Sequence, residues 1–234
     1  MRRIRKMQEP EHFRLWKEAF RITEGRHPLY GDLRNSGEYR KLRNSLLTEQ
    51  GYICCYCERA IGRKADVDCN IEHFMPRNPD RRALTAEECD QCQNAQMDYG
   101  NLLASCLGEQ AYSDDHCNHK KDNWFDFNLC VSPVDAGIET LFGFRLNGKI
   151  FAIGIDVRAE AMKTHLNLDS YVLNEQRKAA YDQMMELEFA DEELLTDREY
   201  IMDTIAFYDQ MDHEGRYTPF CSMITYCLRH ELLD

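Results

Sequence analysis

The sequence predicts an α+β protein, mainly helical, in which a cysteine-rich central segment of brief strands lies between N-terminal helices and a C-terminal helical region carrying a β-hairpin. Three observations predict it. Apolar residues recur at helical spacing on both sides of the centre, that spacing breaks from Gly51 to Asn128, and Cys54, Cys57, Cys89, Cys92, Cys106 and Cys117 all fall within the break.

Taken in order, Phe13, Trp16 and Phe20 predict an amphipathic helix over residues 10–24, and Tyr39, Leu42 and Leu46 predict a second over 36–49. Within the break, short apolar runs such as Asn101 to Cys106 read as brief strands. Phe144 and Leu146, the pair Asn147-Gly148, then Ile150 and Ala152 have the alternation and turn chemistry of a β-hairpin. Beyond it, Thr196-Asp-Arg-Glu199 reads as a capping box opening a helix with Ile201, Ile205 and Tyr208 on one side, and Thr218-Pro219 as an N-cap with proline at the first helical position. The expected division is 1–50, a helical region; 51–130, the chemical core; and 131–234, an acidic and mostly helical region.

At 234 residues the chain is long enough to bury a sizeable core. Its longest apolar runs are a few residues, and the basic start MRRIRKMQEP lacks the apolar stretch of a signal peptide, so a cytoplasmic protein with no membrane association is expected. Eleven cysteines in that compartment should stay reduced, which makes metal binding a better account of their pairing than disulfides. The net charge of −12 is unevenly spread. Residues 131–234 hold 9 Lys and Arg against 20 acids, whereas residues 1–50 hold 12 against 7. An anionic ligand could therefore be met by the N-terminal half, and the acidic half suits solubility or a basic protein partner.

Cys54-Cys-Tyr-Cys57 is a spacing at which one tight turn can present two thiolates to a tetrahedral zinc ion; buried core cysteines are the alternative. For a second pair the residues offer Cys106 with Cys117, ten residues apart, or the tighter Cys89-Asp-Gln-Cys92 in a polar insertion. Glu72-His73 ends one strand, Asn101 starts another, and HCNHKKDN (116–123) opens a helix. Hydrolysis of a phosphodiester needs a base for water, a divalent metal for the charge on phosphate and leaving oxygen, and a group that fixes the base. His73 can be the base, Glu72 a hard oxygen ligand for Mg2+ or Mn2+, Asn101 the orienting group, Asn118 or His119 the last metal ligand, and Lys121 a phosphate contact.

CCYC, IEHFMP, YGNLLASC and HCNHKKDN, in that order, resemble the HNH endonucleases, whose ββα-metal finger often carries a structural zinc held by two cysteine pairs. The flanking stretches LLTEQGYICCYCERAI and THLNLDSYVLNEQRKAA (164–180) extend the resemblance to the PtuB nuclease subunit of Septu anti-phage defence and its retron-associated relatives. The resemblance implies His73 as general base, Glu72 and Asn118 as metal ligands with His119 the alternative to Asn118, Asn101 as the residue that positions the base or braces its loop, and Cys54, Cys57, Cys106 and Cys117 as the zinc set. The second pair is chosen because in this class it brackets the link between the second strand and the helix. Two departures stand out: the ten-residue gap, and Asn118 where many relatives have histidine directly after the cysteine. The resemblance further implies DNA as substrate, an ABC/SMC-like ATPase (PtuA) as partner, with residues 131–234 as its docking surface, and, in the retron version, a reverse transcriptase with its RNA–DNA product. An RNA-directed toxin on the same finger and an inert zinc-binding module are the rival classes.

Of the remaining residues, Arg77, Arg81 and Arg82 read as a solvated face or a contact to a DNA backbone, Trp124, Phe125 and Phe127 as core rather than a base-stacking platform, and His116 as a surface loop residue more readily than an extra ligand.

Overall fold

The computed structural model describes residues 1–63, 68–108 and 114–233. It is mixed, about half helical, with two small antiparallel two-stranded sheets among the described residues. The N-terminal helices are α1 (Glu11–Glu24), α2 (Tyr30–Arg34) and α3 (Glu38–Glu49). The first and third match the predicted segments because their apolar faces recur at the helical period: Phe13 is fully buried with Trp16 stacked on it, and Leu42, Leu46 and Leu47 form the inner face of α3. Gly25, in the left-handed conformation with its N–H on the Arg21 carbonyl, ends α1.

In the centre, β1 (Cys69–His73) pairs with β2 (Leu102–Cys106), Cys69 opposite Cys106 and His73 opposite Leu102. Between them lies α4 (Ala86–Asn94), capped reciprocally by Thr85 and Glu88. The sequence reading treated this stretch only as a polar insertion. After β2 comes the short helix α5 (Cys117–Lys121). Part of the lengthened loop between Cys106 and Cys117, residues 109–113, lies outside the described residues. The outer edge of β2 does not face water. Gln50 donates to the carbonyls of Ile53 and Ala104 and accepts from the Ala104 N–H, and the Cys55 N–H donates to the same Ala104 carbonyl, so the first cysteine turn is sewn to the strand that carries Cys106.

The predicted hairpin is formed by β3 (Phe142–Phe144) and β4 (Ile150–Ala152). Gly148 has a φ of 82°, and a Cβ there would stand 1.9 Å from the Asn174 carbonyl oxygen, so both conformation and space require glycine. Helices α6 (Val157–His165), α7 (Tyr171–Glu188), α8 (Arg198–Tyr208) and α9 (Cys221–Leu232) follow.

Two predicted helix starts are displaced. The N-cap of α8 is Asp197, whose carboxylate accepts from the Tyr200 N–H, while Thr196 belongs to the preceding 3-10 turn. Thr218-Pro219 does not open α9: the helix begins at Cys221 after Phe220 in the left-handed region, and the Thr218 carbonyl accepts the Cys221 N–H in a turn of its own. Replacing Asp197 by Ala is expected to cost about 1 kcal/mol in urea denaturation, and by Asn much less, because only the former removes the cap acceptor. An equal loss in both variants would count against the cap.

Candidate active site and metal centre

Four cysteines meet. The sulfurs of Cys54, Cys57, Cys106 and Cys117 all lie within 4.8 Å of one another and all four residues are buried. Cys54 Sγ is 3.9 Å from Cys117 Sγ, and Cys57 Sγ is 3.8 Å from Cys106 Sγ. A tetrahedron of sulfurs around zinc at Zn–S of about 2.3 Å has an edge of about 3.8 Å. The donors are therefore spaced to hold a structural metal such as zinc. Cys89 and Cys92 lie on α4 and form no part of the cluster. His116, read as a surface residue, is instead fully buried beside it, its Nδ1 3.2 Å from Cys117 Sγ. Its Nε2 has no partner among the described residues, and burial lowers its pKa.

The end of β1 forms one wall of a polar cavity of about 230 Å3 that Glu72, His73 and Asn118 line together with Tyr30, Arg34 and Arg77. His73 Nε2 lies 3.0 Å from the Gln96 carbonyl oxygen, an acceptor, so Nε2 carries the hydrogen and Nδ1 keeps the lone pair. Tyr30 packs edge-on against the His73 ring at 4.4 Å and also carries the Arg77 guanidinium over its face at 4.4 Å. Burial, with the charges of Arg77 and Lys121 nearby, lowers the His73 pKa to about 3, which leaves the imidazole neutral at neutral pH.

Glu72 is held by one oxygen. Its Oε1 accepts from the Tyr56 hydroxyl at 2.9 Å and lies 3.0 Å from Lys121 Nζ; Oε2 has no hydrogen bond among the described residues. Lys121, expected at a phosphate, is buried in this arrangement and also donates to the His73 carbonyl at 3.0 Å. Asn101 braces the turn after the histidine: its Oδ1 accepts from the Met75 N–H at 2.7 Å, and its Nδ2 donates to the carbonyls of Met75 and Ala95.

The two candidates for the last ligand part company. Asn118 lines the cavity, with a buried Oδ1 that has no partner among the described residues, whereas His119 is half exposed and faces Asp115, Nδ1 to Oδ2 3.5 Å. Glu72 and Asn118 line the same cavity and carry carboxylate and amide oxygens, the ligand type that a hard divalent cation takes. Arg81 and Arg82 are exposed and outside the cavity, Arg82 paired with Asp80 at 3.2 Å. Phe125 is buried, with its ring against Phe74 and Phe127, and Trp124 stacks on His165 at 3.9 Å, so these rings are packed against protein.

Sequence reasoning missed Tyr56, Gln96 and Tyr30. For Tyr56 a signal existed, since the cysteine turn that contains it must lie next to any site it supports. Gln96 acts through its backbone carbonyl, which carries no sequence signature, and Tyr30 lies 43 positions from the histidine it touches.

No family model matches the chain. Curated relatives do. It is 27% identical over 97 residues to "Retron Ec83 putative HNH endonuclease" of Escherichia coli, covering 38% of this chain and 34% of that protein. It is 28% identical over 139 residues to "Retron Vc95 putative HNH endonuclease" of Vibrio cholerae serotype O1 biovar El Tor, covering 59% of this chain and 60% of that protein. The chain thus matches between a third and three fifths of the length of these curated relatives. Among the described residues no helix is long and apolar enough to cross a membrane. The chain is a distant homologue of two proteins that each bear the name "putative HNH endonuclease" of a retron, a likeness that supports a nuclease.

Proposed function

We infer that the protein is a metal-dependent HNH endonuclease of the PtuB type that cleaves DNA, with β1, β2 and α5 as its ββα-metal finger. The observation that carries this reading is the convergence of Glu72, His73 and Asn118 on one polar cavity beside the four-cysteine cluster. His73 Nδ1 accepts the proton of the attacking water, its orientation held by the Gln96 carbonyl and the edge of Tyr30. Glu72 and Asn118 would hold Mg2+ or Mn2+, which would supply positive charge to the scissile phosphate and the leaving oxygen. Asn101 keeps the turn after His73 from moving, and Arg77, free of any carboxylate partner among the described residues, reaches a phosphate of the substrate. Lys121 assists from behind, by fixing Glu72.

As effector of a Septu-type system the nuclease would work with a PtuA-like ATPase docked on the acidic region 131–234; the retron names of its relatives add a reverse transcriptase and its RNA–DNA product as candidate partners. The test is cleavage of DNA and RNA in parallel, with and without Mg2+, by the wild type and by His73→Ala. Magnesium-dependent DNA cleavage is expected to fall at least about a hundredfold in the variant. Equal cutting by both proteins overturns the mechanism, cleavage of RNA alone moves the protein to the ribonuclease class, and no cleavage of either by the wild type leaves the inert binding module.

A further inference from the structure

The stretch 164–180, which the site described above does not use, folds onto the back of the cysteine cluster. The Cys117 N–H donates to the Leu166 carbonyl at 2.9 Å, Asn167 Nδ2 donates to the Asp115 carbonyl at 2.9 Å, and the Asp114 carboxylate accepts the Val172 N–H at 2.9 Å. These bonds hold Cys117 in a left-handed conformation, φ 53°, which a residue with a Cβ adopts at a cost.

The same stretch sends Arg177 into the interior. It is among the largest fully buried side chains, and its Nη1 donates to two neutral acceptors, the Gly148 carbonyl at 3.3 Å and Asn174 Oδ1 at 3.2 Å. No carboxylate among the described residues forms an ion pair with it. Glu58, which shares a small cavity with it, is occupied by the N-terminal ammonium at 3.4 Å and the Ser222 N–H at 2.9 Å, and Asp169 by Asn174 Nδ2 and the Ile150 N–H. A buried guanidinium without a counterion is costly. Cys57 and Tyr56 line that same cavity, and burial, which disfavours the cation, is opposed by the charges of Cys57, Glu58, Cys117 and Asp169. A divalent ion held by four thiolates leaves a net charge of minus two. The buried cation thus borders the same cavity as one of the four cysteines.

We propose that Arg177 is a positioning residue of the metal centre: carried by the stretch that clasps Cys117, it supplies the buried countercharge that lets four thiolates hold one divalent ion. The role rests on the reading of the four cysteines as a zinc site. It predicts that charge matters more than hydrogen bonding at this position.

The experiment is competition for zinc between the purified full chain and a chromogenic chelator, using wild type, Arg177→Gln, Arg177→Lys and Asn174→Ala. Arg177→Gln keeps a donor and loses the charge, and its zinc affinity is expected to fall about 10- to 100-fold, the size found for residues that support metal ligands. Arg177→Lys and Asn174→Ala, which keep the charge, are expected to stay within about threefold of wild type because the buried countercharge is retained. Wild-type affinity in Arg177→Gln overturns the proposal, as does a loss in Arg177→Lys equal to that in Arg177→Gln. If Arg177→Gln does not yield soluble protein, a loss of zinc affinity beyond about threefold in Arg177→Lys overturns the proposal. A wild type that binds no zinc at all overturns the cysteine-site reading itself, which separates that failure from failure of the arginine's role.

Discussion

Cys54→Ser and Cys106→Ser are each expected to lose the bound metal and, with it, the fold of the central segment. Wild-type protein should carry zinc at one ion per chain by elemental analysis; the two variants should carry close to none and melt at a far lower temperature. The reason is geometric. The two cysteine pairs come from a turn before β1 and from the segment joining β2 to α5, and their sulfurs meet at 3.8 and 3.9 Å although Cys57 and Cys106 are 49 positions apart. Closing that separation costs loop entropy that a metal repays. Apparent binding energies of about 10–16 kcal/mol for zinc in small zinc-binding units are comparable to the whole stability of a domain. Cys89→Ser and Cys92→Ser, on α4 away from the cluster, should keep the metal. Retention in Cys106→Ser with loss in Cys89→Ser would move the site to the other pair.

Lys121→Met should destabilise the protein by about 3–5 kcal/mol in urea denaturation, the range for breaking one side of a buried ion pair. The Lys121 side chain is 1% exposed, and its ammonium sits 3.0 Å from Glu72 Oε1 and 3.0 Å from the His73 carbonyl. Without it the Glu72 carboxylate is left with the Tyr56 hydroxyl as its one remaining hydrogen-bond donor among the described residues. The double variant Glu72→Gln/Lys121→Met should recover most of the loss, because it removes the uncompensated charge along with the partner. Additive losses in the double variant would mean that the lysine acts through packing alone.

The lysine shows where sequence reading stopped. Glu72, His73, Asn118 and Lys121 stand out in the sequence by residue type and spacing, at a strand end and a helix start. Which way each side chain turns was not legible: Lys121 faces inward to Glu72, His119 outward to Asp115, and His116 inward to the sulfurs. On a helix of five residues a single step rotates a side chain by about 100°, so neighbours differ completely in what they meet. Helix α4 was missed as a helix because its stretch AEECDQCQN is polar nearly throughout, and its buried residues, Cys89 and Cys92, drew attention as possible ligands instead of as an inner face. The start of α9 was misplaced because Thr-Pro satisfies a local rule, while the chain there forms a turn that presents Phe220 to the core.

By itself the amino-acid sequence determined the helices α1 and α3, the hairpin around Asn147-Gly148 and the C-x-x-C spacing of Cys54 and Cys57, all of which depend on periods or turns spanning a few residues. The four cysteines that the family resemblance implies are the ones that meet, but only the tertiary structure decided which of Asn118 and His119 borders the cavity, and that Tyr56, Gln96 and Tyr30 surround Glu72 and His73. Those contacts join residues between 16 and 66 positions apart, as Tyr56 to Glu72 and Tyr30 to Gln96 do. No local pattern encodes them, since they arise when separate apolar faces pack and the polar groups caught between those faces must find partners.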